Sequence, residues 1–257
     1  MKNTEQSQEW ITRIPSCKES INASKDFEEL WPSSANTVGI PVIDGRQITG
    51  IGTYVLARHA VETNRAILLL WNQGMQLQAI PLMRALMESA VTASWMTITK
   101  DSGLASLHFV ATERIKLLND LQQISSYEND GISQWEEIKK QHSSSASSEA
   151  KQFEQRCNSL EGGEGIYAIY RLLSGLSHPS LNLVESYTKQ DIRSEHGFIF
   201  TDAHLQKLEE TLLAFNTCML ALALAAWGKY EESGALALKV RTLGDRFGIR
   251  TKIAPKN

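Results

Sequence analysis

The sequence predicts an all-α protein: a helical bundle of about six to seven helices behind an irregular N-terminal segment. From residue 48 onward, apolar side chains recur at steps of three and four, the 3.6-residue period that puts them on one helical face. There is no sustained alternation of period two, and no internal repeat divides the chain. Amphipathic helices without strands bury their apolar stripes against one another, which makes a bundle the natural architecture.

Residues 1–47 read as a short helix near Ser24 to Trp31 and then a loop. Pro15, Pro32 and Pro41, the polar run Ser33 to Asn36 and the Asp44-Gly45 turn signal interrupt any longer pattern. Residues 48–247 are the bundle domain. Leu56, Ala60, Thr63, Ile67 and Leu70 share one face of its first helix, with Gly74 as the C-terminal cap. A second pattern runs through Leu77, Ile80, Arg84, Met87, Val91, Trp95 and Ile98, where Pro81 forces a kink or a start. Arg84 sits on that apolar stripe. Asp101 or Ser102 caps a third helix carrying Leu104, Leu107, Ala111, Ile115 and Leu118. A fourth begins near Ile132, holds Trp135 and Ile138, and runs into the serine-rich stretch Ser143 to Ser148, a solvated loop or frayed helix.

The run Glu161 to Gly165 breaks the chain before a fifth helix with Ile166, Ile169, Tyr170, Leu173 and Leu176 on one face. Pro179 ends it, because the residue before a proline is pushed out of the α region. Leu181 to Phe200 is irregular apart from one short strand at Phe198 to Phe200. Thr201 or Asp202 caps a long helix to Trp227, and Leu236, Val240, Leu243 and Phe247 mark the last one. Residues 248–257 form a basic C-terminal tail, continuing a locally basic run that starts at Lys239.

Composition narrows the function classes. Cys17, Cys157 and Cys218 are far apart and odd in number, so neither a disulfide framework nor a zinc site is expected, and a reducing, cytoplasmic setting is the simplest. Met1 to Cys17 is too polar for the apolar segment of a secretory signal. Leu212 to Trp227 falls short of the roughly 20 apolar residues that span a bilayer and carries Asn216 and Thr217, so it reads as a buried helix and no membrane is expected. The formal net charge of −3 argues against a whole-protein electrostatic grip on nucleic acid, leaving only local charge. No P-loop, dinucleotide-binding glycine motif, HExxH, GxSxG or EF-hand loop is present. His59 and Glu62 lie one turn apart, as do His108 and Thr112, but no ligand set at helical spacing appears, so neither metal nor cofactor is expected.

Chemistry concentrates in Tyr170 to Ser180, YRLLSGLSHPS. On a continuous helix Arg171 and His178 share a face about 10 Å apart. Gly175 and Pro179 suggest instead that the helix ends between them, letting the imidazole fold back toward the guanidinium. A cation for phosphate would then stand beside a group that titrates near neutrality. Arg84 and Glu88, one turn apart beside an apolar stripe, form the second constellation. They are either a structural ion pair, with Glu88 able to hold Arg171 from a facing helix, or part of one site with Arg171 and His178. Tyr170, Ser174 and Ser177 support it. Trp71, Trp95 and Trp227 recur on helices and read as core.

An arginine followed at this spacing by a histidine near a helix end resembles the ribonuclease motif of HEPN domains, although Leu172 stands where that pattern has a polar residue. With Ala79 to Ser89, AIPLMRALMES, the segment also resembles a bacterial helical family, domain of unknown function 5677, over roughly residues 50 to 230. The HEPN resemblance implies a helical homodimer that cleaves RNA without metal, as an endoribonuclease of toxin or phage-defence type held by an antitoxin or regulatory protein. His178 would be the general base and Arg171 the phosphate clamp, giving a 2′,3′-cyclic phosphate and a free 5′-hydroxyl. The small-residue face Ala221 to Ala226 offers a close approach to another helix, in the same chain or in a second subunit. The alternative is a non-catalytic partner-binding protein in which Arg171, Glu88 and His178 form a structural polar network. A solvent-open arrangement favours the enzyme, and full burial favours the network.

Overall fold

The computed structural model describes residues 10–31, 46–124, 131–145, 147–179, 183–205 and 207–256. The loop expected over residues 33–45 lies outside them, as do Leu181 and Ser180. Eleven α-helices occur among the described residues: α1 Cys17–Glu29, α2 Gln47–Asn72, α3 Gln76–Ile98, α4 Ser102–Ile124, α5 Ile132–Gln141, α6 Ser148–Lys151, α7 Phe153–Asn158, α8 Gly163–Ser177, α9 Val184–Tyr187, α10 Glu209–Gly228 and α11 Ala235–Phe247. Two three-residue strands, β1 Thr188–Gln190 and β2 Phe198–Phe200, pair antiparallel. The protein is an all-α bundle. It exceeds the expected helix number because α6, α7 and α9 are only four to six residues long, too short to display a period.

Helix α10 is the axis, packed against α1, α2, α3 and α11. It is apolar all round, as a fully enclosed helix must be, and Leu212 through Gly228 are all buried. It is long and apolar enough to cross a membrane by length and composition, yet 89% of its most apolar window is buried inside the chain. The alanines Ala221, Ala223 and Ala226 are fully covered within this single chain, so the small-residue face is already occupied and offers no dimer contact. Two buried polar pairs lie here, Asn216 Nδ2 donating to Asn64 Oδ1 at 2.9 Å and the Ser24 and Thr217 hydroxyls meeting at 2.8 Å, while Asn216 Oδ1 has no partner among the described residues.

Three boundaries differ from expectation. Helix α1 starts at Cys17 rather than near Ser24, because Ser16 and Glu19 form a capping box that satisfies the first free N–H groups. Helix α10 starts at Glu209, with neither Thr201 nor Asp202 as its cap. Thr201 and His204 donate their backbone N–H groups to Tyr187 and Ser186, and Lys207 takes a left-handed conformation, so no helix can begin earlier. Helix α3 runs through Pro81 from Gln76, the ring turned to solvent. Expected features that are present include Gly74 just past α2 with φ of +75°, which suits the residue without a side chain, and buried Trp71, Trp95 and Trp227.

The basic C-terminal segment packs against the body of the bundle. Ile249 bridges to Ile11 and Pro255 to Leu160, Ile249 and Ile253 are buried, and Arg250 and Lys256 pair with Glu161 and Glu164. The outer face of α3 carries α8, and α7 touches both. That corner positions the candidate site.

Candidate functional site

Helix α8 presents Ile166 and Leu173 to the core, and beside them a polar strip of Tyr167, Tyr170, Arg171, Ser174 and His178 within about 100° of arc at 100° per residue. The helix persists to Ser177. His178 is its C-terminal cap, in an extended conformation (φ −96°, ψ 141°) as the residue before Pro179 requires. The imidazole therefore does not fold back toward Arg171, and it reaches across to α3 instead. Ser174 contributes its carbonyl, which accepts the His178 N–H at 3.3 Å, and the Ser177 hydroxyl donates to the Leu173 carbonyl at 2.6 Å.

Arg84 is the hub. Its Nε donates to Glu88 Oε1 at 3.1 Å, its Nη2 to the Tyr170 hydroxyl at 2.7 Å, and its Nη1 lies 2.9 Å from His178 Nε2. The Tyr170 hydroxyl donates to Glu88 Oε1 at 3.0 Å, closing a ring of three residues. Because a guanidinium has no acceptor and stays protonated, His178 Nε2 must be the acceptor. This contact suits the imidazole tautomer that carries its proton on Nδ1. Burial raises the Tyr170 hydroxyl above its ordinary pKa, and the Glu88 charge raises it further against the opposing pull of Arg84, so it remains a donor.

The cluster is solvent-open. The Arg84 and Glu88 side chains are 25% and 41% exposed, and Arg171 and His178 are exposed residues. Arg171 makes no hydrogen bond or ion pair among the described residues and stands outside the ring. Of the residues expected to act together, Arg84, Glu88, Tyr170 and His178 are brought into contact, while Arg171 lies beside them two turns back along α8. Neither an Arg171–His178 pair nor an Arg171–Glu88 pair forms, because α8 is straight at this point and Arg84 already occupies both partners.

Three neighbours escape the sequence reading. Phe153 and Arg156 come from α7, a six-residue helix with no readable period. The Phe153 ring lies 4.2 Å from Tyr170, and Tyr167 stacks on Tyr170 at 6.0 Å between centroids. Arg156 sits over Phe153 at 5.9 Å. No cluster of three or more His, Cys, Asp or Glu that could hold a metal occurs among the described residues. A cavity of about 540 Å³ lies elsewhere, between the start of α2 and the end of α3, lined in part by Arg46, Thr97, Lys100 and Tyr230.

Fold and site together define an all-helical bundle with an open cluster of guanidinium, phenol, carboxylate and imidazole groups where two neighbouring helices meet. A family described as of unknown function (DUF5677) matches residues 51–196, more than half of the chain, and the protein belongs to that family. No curated protein and no solved structure matches the chain. The family span contains every residue of the cluster and excludes the central helix α10.

Proposed function

We propose that this face binds an RNA strand and cleaves it without metal, in the manner the HEPN resemblance implies. One observation carries the reading: a solvent-open imidazole has its Nε2 2.9 Å from the Arg84 guanidinium, while the Arg171 guanidinium, on α8, has no hydrogen bond or ion pair among the described residues. A guanidinium binds a phosphate anion more strongly than a neutral nitrogen, so an incoming phosphodiester draws Arg84 away and frees Nε2. His178 then takes the ribose 2′-hydroxyl proton, the 2′-oxygen attacks phosphorus, and the P–O5′ bond breaks. The 5′-oxygen leaves with a proton from water, giving the 2′,3′-cyclic phosphate. Arg171 and Arg84 bind the non-bridging oxygens as their charge grows. In this reading the protein acts in the cytoplasm as a toxin or phage-defence nuclease, under an antitoxin or regulatory protein, and as a homodimer through a face other than the alanines of α10.

A second reading is favoured by the ring itself. Every nitrogen of the Arg84 guanidinium already has a partner, as befits a structural network in a non-catalytic, partner-binding protein. Its members are Arg84, Glu88, Tyr170 and His178 rather than Arg171. Incubating purified wild-type and His178→Ala protein with varied RNAs in EDTA separates the two. The nuclease reading requires RNA cleavage that spares DNA and disappears in the variant with helicity unchanged, and uncut RNA leaves the structural network. In growing bacteria, wild type but not His178→Ala should degrade total RNA.

A further inference from the structure

Arg156 is a half-buried cation with no ion-pair partner among the described residues. Its Nη1 donates to the Ala150 carbonyl at 3.4 Å, a long bond, and its Nε is buried with no hydrogen-bond partner. No carboxylate lies within 4.0 Å of it among the described residues. Charges withdrawn from water are normally paired, and an unpaired one is strongly unfavourable. Burial pushes its pKa down, with Cys157, Glu88 and Tyr170 the groups near enough to push the other way.

Its position gives the missing anion a place. Arg156 stands over Phe153, Phe153 lies against Tyr170, and Arg84 lies 4.9 Å from the Tyr170 ring centre. Arg84 and Arg156 therefore flank one aromatic pair, with Arg171 near the adjacent Tyr167, opposed by Glu88 and, beside Tyr167, Glu154. The balance of charge is positive.

We propose that Arg156 is the inner residue of a phosphate-binding site between α3, α7 and α8, and that a phosphate group supplies the anion it lacks. This deepens the reading of the face as a phosphodiester site, but phosphate binding and cleavage can fail separately. Planar guanidinium groups match phosphate oxygens two at a time, which the aromatic edges of Phe153 and Tyr170 cannot do. The phosphate comes either from an RNA strand or from free phosphate.

Thermal unfolding of the full chain, with and without inorganic phosphate, tests the site, because a ligand bound only by the folded state raises the midpoint. Wild type should be stabilised by phosphate. Arg156→Met removes the unpaired buried charge while keeping the volume, so its midpoint without phosphate should equal or exceed that of wild type and should not respond to phosphate. Arg156→Lys keeps a charge without the fork and should respond weakly. The proposal is overturned if wild type ignores phosphate, if Arg156→Met responds as wild type does, or if Arg156→Met is less stable without phosphate, which would make Arg156 a structural residue. A 2′-O-methyl RNA oligonucleotide, which cannot be cleaved by this route, is the second arm. Stabilisation by phosphate alone assigns a free-phosphate site, whereas stabilisation by both assigns the strand, and the cleavage assay in EDTA decides the nuclease reading separately.

Discussion

Arg84 shows how one side chain decides what its neighbours can do. Its three nitrogens meet the His178 imidazole, the Tyr170 hydroxyl and the Glu88 carboxylate. Arg171 has no such partners among the described residues, and in the nuclease reading Arg171→Lys should still impair RNA cleavage, because lysine keeps the charge and loses the planar fork. Cleavage kinetics check this, and a lysine variant as active as wild type would reduce Arg171 to a diffuse charge. Leu173, on the opposite edge of α8, is 2% exposed. Leu173→Ala should destabilise by about 2–5 kcal/mol through the cavity it leaves, read as a lower denaturation midpoint. The buried thiols give a pH dependence. Burial raises Cys157 and Cys218 from the ordinary 9.0 to about 12, against weaker opposing pulls from Arg156 and Arg250. In the unfolded chain they ionise near the ordinary value. Their contribution is therefore complete below it and is lost as pH rises toward the folded value, so urea midpoints should fall across that alkaline range, and less steeply in a Cys157→Ala, Cys218→Ala variant.

At the scale of elements, the corner of α3, α7 and α8 depends on a close backbone approach. A side-chain carbon at Gly163 would overlap the carbonyl oxygen of Cys157, and backbone cannot yield as a flexible side chain can. Gly163→Ala should therefore separate α7 from α8 and lower the thermal midpoint, whereas Gly165→Ala, with open space around it, should be far milder and offer a control. The Glu161 to Gly165 run announced a break, but not that one of its glycines is a contact. The boundaries that sequence missed follow a similar logic. Ser16-x-x-Glu19 is a readable capping box that simply precedes the expected start of α1. The late start of α10 could not be read locally, because its cause is the pairing of residues 201 and 204 with a hairpin partner earlier in the chain.

For the whole molecule, the last residues act as a strap that joins the N-terminal segment at Trp10 and Ile11 to the start of α8. Removing residues 249–257 would expose apolar surface that Ile249 and Ile253 now cover, side chains whose burial is worth about 1.5–3 kcal/mol each. The truncated chain should unfold at a clearly lower temperature, and an unchanged midpoint would show the strap to be incidental. By itself the sequence determined the helical class, most helix positions, the enclosed α10 and the end of α8 before Pro179, because three-and-four spacing, caps and the pre-proline restriction act within one or two turns. Only the tertiary structure decided that His178 meets Arg84 rather than Arg171, that Arg156 lies over Phe153 beside Tyr170, and that the α10 alanines face inward. Those outcomes depend on which helix faces oppose each other and how far side chains reach across the gap, and no local period encodes either.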